Sequence, residues 1–244
     1  MTVQDDERER ELVGLFNLNW DASHQRHGVD AVLELDVDGC QCKIEVEVKS
    51  TTGFSVGTAR DVGLKHIAKW RNKLFVIGFY SKARGRPELE KCLVLTPQDM
   101  EPWIASIEEK IEFDYKLAEC LSRKPLGLDD LFQVCGKQDS YTIKDAKRLH
   151  KQQWTNTQYL EARDMTIGRK KLLSQSKMLE ILRLRSLYIA ERGATLNNPH
   201  INKKFLIAFK GSDREFSRSN AAVGVREIAS TFVRAYPNHP SILK

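Results

Sequence analysis

No apolar run in this 244-residue chain approaches the roughly 20 residues that cross a bilayer, so no membrane-spanning helix is expected. Cysteine is sparse: five residues, at positions 40, 42, 92, 120 and 135, form no CxxC pair and no His/Cys cluster with zinc spacing. An odd, scattered set implies free thiols in a reducing compartment. The opening MTVQDDERERELVG is acidic and carries no signal-peptide pattern, so the expected location is cytoplasmic. GxSxG, Walker A and GxGxxG patterns are all missing, which argues against a serine hydrolase, an NTPase and a dinucleotide enzyme. His66 and His150 have no partner at metal or triad spacing, and the chain has no internal repeat or low-complexity segment.

What is present is charge, unevenly placed. The composition is 41% hydrophobic and 30% charged, enough apolar residues for a core in a well-solvated protein. From residue 121 onward there are 23 Lys+Arg against 11 Asp+Glu, whereas the preceding residues carry 16 against 22. A basic half suggests a polyanion, because Lys and Arg contacts to phosphate dominate nucleic-acid affinity. No basic amphipathic helix with exposed Trp or Phe points to a membrane surface instead.

Along the chain, residues 5–17 have helical spacing, with strands expected at 30–37 and 40–50. A helix follows over 58–71, then a buried strand LFVIGFY (74–80), the charged turn KARGRPELE, a strand at 91–96 and a helix from Pro97 to about 120. That order predicts an α/β fold: a mixed β-sheet core flanked by helices, with a mainly helical C-terminal region. Composition and charge both change at SRKPLG (122–127). The expected domains are therefore 1–121, holding the mixed sheet, and 122–244, a basic and mostly helical region suited to binding DNA. In the latter, helices are expected at 142–153, 156–164, 176–192 and from Ser219 or Asn220 to Arg234, with a buried strand at FLIAF (205–209).

IEVEVKS (44–50) alternates aliphatic residues with Glu45, Glu47 and Lys49, and a strand has a side-chain period of two. Asp38-Gly39 is a strong two-residue hairpin signal. With that turn, Leu35 faces Cys42, Glu34 faces Lys43, Val32 faces Glu45 and Asp30 faces Glu47. One face is then apolar (Ala31, Leu33, Leu35, Val37, Cys40, Cys42, Ile44, Val46 and Val48). The other collects two carboxylates and an amine at its open end. Like charges opposed across a hairpin destabilise it, so Asp30 against Glu47 suggests an intervening cation. Hard divalent ions take oxygen ligands, which suits Mg²⁺. Lys49, one strand step on, is placed to hold or help deprotonate a water and to meet developing phosphate charge. Acid-x-Lys also occurs at Glu108, Asp114 and Asp145, but in helical stretches, where surface charge is the plainer reading.

GVD (28–30), a strand, a short turn and EVEVKS (45–50) resemble the PD-(D/E)xK nuclease superfamily, which includes most type II restriction endonucleases. Val29 stands where that pattern often has proline. The resemblance covers roughly residues 5–96. It implies Asp30 and Glu47 as metal ligands, Lys49 as the catalytic lysine, and an extra acid from Glu7, Glu9 or Glu11. It also implies a homodimer cutting both strands of a palindromic site within a restriction–modification system.

In YTIKDAKRLHKQQW (141–154), Lys144, Lys147, Arg148 and Lys151 form one stripe on a helix. A second helix follows at TQYLEARD. The pair is a candidate helix-turn-helix bringing Asn156, Thr157, Gln158 or Arg163 near base edges, although contact with phosphates or solvent is the plainer reading of the stripe. Arg169, Lys170 and Lys171 form a loop cluster, and Trp154 and Tyr159 read as core.

The expectation is a Mg²⁺-dependent endonuclease hydrolysing phosphodiester bonds of double-stranded DNA, a site-specific type II enzyme. Two alternatives are a structure-specific repair or junction-resolving nuclease, and a non-catalytic DNA-binding protein whose strand charges are only surface.

Overall fold

A computed structural model describes residues 3–20, 30–81, 87–122 and 125–243; side chains of residues 3–6 and 120–122 are left aside. Gly28 and Val29, most of the KARGRPELE turn, and Arg123 and Lys124 of the expected joint lie outside the described residues. Among those described, no helix is long and apolar enough to cross a membrane.

The chain divides into two compact units, residues 1–110 with 196–244, and residues 111–195. The expected division at residue 122 is thus corrected. The last part of the basic half belongs with the sheet, because its helix supplies core to that sheet, a long-range pairing that composition does not reveal.

The first unit is built on a mixed sheet ordered β1 (Ala31–Val37), β2 (Cys40–Thr51), β4 (Leu74–Tyr80), β5 (Leu89–Leu95) and β10 (Glu215–Phe216). β2 and β4 run parallel and the other neighbours antiparallel. β11 (Ile242–Leu243) pairs with the first half of β2. A short pair, β3 (Val56–Gly57) with β9 (His200–Ile201), stands apart. On one sheet face, Leu33, Ile44, Val46, Val76 and Val94 bury against α1 (Val3–Leu15) and α9 (Ala221–Ala235) through Leu12, Phe16, Val225, Ile228 and Phe232. Gly78 is required there: a Cβ would sit 2.8 Å from both Leu12 methyls. The alternate residues Phe75, Ile77, Leu93 and Leu95 are equally buried. α2 (Leu64–Trp70) and the first half of α3 (Pro97–Ser122) add buried Ile67, Trp70, Met100 and Trp103, the two indole rings 5.3 Å apart.

The hairpin has the expected register, from Ala31 opposite Val46 to Val37 opposite Cys40. Asp38 and Gly39 both take positive φ, 54° and 83°, the conformation that matches the right-handed twist of the flanking strands. Cys40 is the exception on the apolar face, being exposed beside the turn.

Two elements differ from expectation. The helix expected at 58–71 covers only 64–70, because Val62 is bridged to Leu196 and Asp61 takes a φ of 53°. FLIAF is not a strand: its first three residues end α8 (Lys203–Ile207), which is capped by Asn202, whose side chain accepts from Phe205 N. A short apolar run has no decisive period, and the cap settles it as a helix with Leu206 buried and Ile207 exposed.

The second unit contains α4 (Leu128–Cys135), β6 (Ser140–Tyr141), α5 (Ile143–His150), α6 (Asn156–Glu161), β7 (Met165–Ile167), β8 (Lys170–Ser174) and α7 (Gln175–Gly193). Its small sheet is ordered β6-β8-β7. Leu131, Tyr141, Ala146, Tyr159, Leu173, Met178 and Ile181 form a separate core.

Candidate active site and nucleic-acid interface

Asp30, Glu47 and Lys49 come together at the open end of the hairpin. Asp30 lies one residue before β1, and its Oδ2 accepts a 3.0 Å hydrogen bond from Val48 N, standing in for the next rung of the ladder. Lys49 Nζ lies 3.3 Å from that Oδ2, 3.0 Å from Glu47 Oε1 and 3.0 Å from the Val48 carbonyl. Three oxygens therefore converge on one ammonium.

Sequence reasoning missed the fourth member. Lys73, only 4% exposed, donates to Glu47 Oε2 at 2.7 Å. The signal was latent in the parallel register of β2 and β4, in which Val46 pairs with Leu74 and Glu47 with Phe75. Extending that register sets Lys73 beside Glu45, on Glu47's side of the sheet. Without knowing that β4 runs beside β2, a lysine just ahead of an apolar run reads as a solubilising flank.

The electrostatics follow from this crowding. Burial pushes the Glu47 carboxyl up, but the ammonium groups of Lys49 and Lys73 outweigh it and hold the group down at about 2. Burial pushes Lys49 down, yet Glu47, Asp30 and Glu9 together raise it above its ordinary value. The opposed carboxylates thus already have their counter-charge from the chain's own lysines, so like-charge repulsion alone does not demand a metal. Among the three N-terminal candidates, Glu9 is the acid whose charge acts on Lys49. Glu11 is turned to other work, accepting from the Tyr80 hydroxyl at 3.2 Å and pairing with Arg218 at 2.7 Å.

The donor set fits a hard divalent cation. Two carboxylates and a backbone carbonyl are the oxygen ligands such ions take, and here they already surround a positive centre. Among the described residues there is no group of three or more His, Cys, Asp or Glu side chains suited to a metal. The third oxygen in this cluster belongs to the backbone of Val48.

In the second unit, α5, a turn and α6 form a helix-turn-helix. Thr142 and Thr155 each close a capping box at their helix start, and left-handed Lys151 and Gln152 make the corner. His150, Trp154 and Tyr159 pack edge-on inside the corner, with His150 Nδ1 3.2 Å from the Tyr159 hydroxyl. The helix pair is followed by the hairpin β7–β8, whose tip is Gly168-Arg169. Arg169, Lys170 and Lys171 are all exposed on it. The cluster expected in a loop therefore sits on a hairpin.

The α5 stripe divides. Lys144 faces solvent, whereas Lys147 donates to Asn156 Oδ1 at 2.6 Å and lies over the Tyr159 ring. Arg148 and Lys151 border a cleft between α4, α5 and α7. Asn156 is exposed at the first turn of α6, while the Gln158 side-chain Oε1 accepts from Thr155 N as part of the cap. Arg163 donates to the Leu160 carbonyl.

The chain matches no protein-family model, no curated protein and no solved structure.

Proposed function

We propose that this protein is a Mg²⁺-dependent endonuclease of double-stranded DNA, with its first unit cutting and its second gripping the duplex. The observation that carries this reading is the convergence of Asp30, Glu47 and the Val48 carbonyl on Lys49 Nζ, within 3.0–3.3 Å. The resemblance of the hairpin to PD-(D/E)xK nucleases supports the same reading. Asp30, Glu47 and the Val48 carbonyl would hold the ion, which when bound supplies Lewis-acid stabilisation of phosphate charge and a more acidic water.

The chain's own residues do the rest. Lys49 offers N–H donors and a positive charge to the attacking water and to the charge that grows on the phosphate. Lys73 fixes the far oxygen of Glu47, so that Oε1 stays aimed at the site. Exposed Arg169, Lys170 and Lys171 contact phosphates. Lys144 adds to that grip, and Asn156, at the start of the second helix, is the side chain offered to a base edge. A two-fold homodimer would present one such site to each strand.

A second reading has its own support. Glu47 is satisfied by two ammonium groups and Asp30 by a backbone N–H and Lys49, so the cluster is a closed ion-pair network that also suits a non-catalytic DNA-binding protein. Incubation with supercoiled plasmid and Mg²⁺ separates the readings. Discrete fragments support a site-specific enzyme, cutting confined to branched DNA supports a structure-specific nuclease, and binding without cutting supports the second reading.

A further inference from the structure

A groove of about 680 Å³ lies in the first unit, bordered by the turn after β2, by Phe79 and Lys91 on the sheet, and by Lys203, Ile207 and Lys210 along α8 and just beyond. Two large apolar side chains are displayed in it, Phe54 at 70% and Ile207 at 53% exposure. Lys203 Nζ stands 4.4 Å from the centre of the Phe54 ring. The ring is not on a loose loop. Thr51 Oγ1 donates to the Ser55 carbonyl at 2.8 Å and accepts from Gly53 N at 3.0 Å, closing the turn beneath it.

The groove begins where the candidate active site ends. Lys49 pairs with Ile77 and Thr51 with Phe79, so the groove floor starts one side-chain repeat beyond Lys49 on the same face. That repeat is about 6.6 Å along the strand. A strand whose phosphate sits at Lys49 needs only to continue along β2 to bring its next bases over Phe54.

The lining chemistry selects the occupant. Lys203 takes one face of the Phe54 ring; a base on the other face, with phosphates beside Lys203 and Lys210, matches this lining. Lys91 is paired with Glu215 at 2.7 Å, so part of the groove's charge is already compensated. A base inside a duplex has both faces stacked and cannot lie on this ring. We infer that the groove binds an unpaired nucleotide adjoining the cleaved phosphate, stacked on Phe54 and held by Lys203 and Lys210. This rests on the nuclease reading and narrows its substrate to DNA opened or gapped beside the cut.

The test uses the full chain in EDTA, where binding is read without cleavage. The probes are a fully paired duplex and the same duplex with a short single-stranded gap carrying 2-aminopurine. The expected result is quenching of the 2-aminopurine on binding. Phe54→Ala should remove the quenching and weaken binding of the gapped probe about tenfold, the scale of removing one base–aromatic stack. Phe54→Trp should restore both, and the fully paired duplex should bind all three proteins alike. Lys203→Ala with Lys210→Ala should lower the salt dependence of gapped-DNA binding by nearly two counterions.

Undiminished binding and quenching with Phe54→Ala overturns the inference, as does a change from dimer to monomer in that variant with DNA binding intact. If the parent chain cuts plasmid in Mg²⁺ while Phe54→Ala behaves like it, this inference alone fails. If the parent neither binds nor cuts DNA, the nuclease reading fails with it.

Discussion

The two charged regions of this protein are made by different rules. In the first unit, strand register brings Asp30, Glu47, Lys49 and Lys73 to one end of a sheet and desolvates them; Glu47 is 8% exposed and Lys73 4%. In the helix-turn-helix unit, helical spacing sets Lys144, Lys147 and Arg148 along one outer face of α5 with Lys151 at its end, and each finds water or a different neighbour. Charges forced together out of water have strong, specific couplings, whereas charges dispersed over a surface act as a sum. The first arrangement suits chemistry at one atom. The second suits a grip on a uniformly charged polymer.

That contrast is open to attack from either side. The largest effect expected is on cutting: Lys49→Ala should slow plasmid cleavage about a hundred- to a thousand-fold while gel-shift affinity for duplex DNA holds. Undiminished cutting would sink the mechanism. Next comes stability. Lys73→Met leaves Glu47 with one ammonium partner, and removing one member of a buried pair costs about 3–5 kcal/mol. Lys144→Ala should stay within about 0.5 kcal/mol when both variants are compared by urea titration. Equal losses for the two would erase the distinction between buried and dispersed charge.

The pH dependence sharpens the same point. Glu47 has a folded pKa of about 2, depressed from 4.5. Its contribution is present in full above the unfolded value and is lost as pH falls through the folded one. Stability should therefore decline between roughly pH 4.5 and 2, and Glu47→Gln should flatten that part of the curve when unfolding is followed by fluorescence. In the second unit, replacing Arg169, Lys170 and Lys171 together by Ala should shallow the slope of log affinity against log salt by about 0.9 for each phosphate no longer neutralised. The rate of cutting at saturating DNA should not change. Smallest of all, Thr155→Ala removes the cap of α6 and should cost about 1 kcal/mol in thermal unfolding.

The hairpin was legible because three local signals agree: the Asp38-Gly39 turn, strict alternation over both strands, and a register that a slip of one residue would ruin. The helix pair was only partly legible, from the spacing of Lys144, Lys147, Arg148 and Lys151; the capping boxes that fix its two starts, Thr142 with Asp145 and Thr155 with Gln158, were not among the signals read. What else escaped is non-local. Lys73 joins the site only because β4 lies parallel to β2, and residues 58–63 lose their helix to a bridge with Leu196.

The charge asymmetry also needed the fold. Residues 196–244 carry eight Lys+Arg against three Asp+Glu, and residues 1–110 carry 15 against 19. The structure puts these two stretches in one unit, where Arg218 pairs with Glu11, Arg234 with Asp38 and Arg214 with Asp99. Three of the eight basic residues after residue 195 thus pair with acids of residues 1–110. The second unit keeps 16 Lys+Arg against 11 Asp+Glu.

The placement of α9 sets an order of events during synthesis. Ala221, Val225, Ile228, Ala229 and Phe232 complete the same core as Leu12, Leu33 and Val46. A ribosome making this chain therefore releases every residue of the helix-turn-helix unit before the sheet can close over its last helix. The helix-turn-helix unit is synthesised in full first, and the segment that holds Asp30, Glu47 and Lys49 waits on residues about 190 positions downstream. A chain stalled before residue 221 would carry the helix-turn-helix unit without a complete core behind Asp30, Glu47 and Lys49.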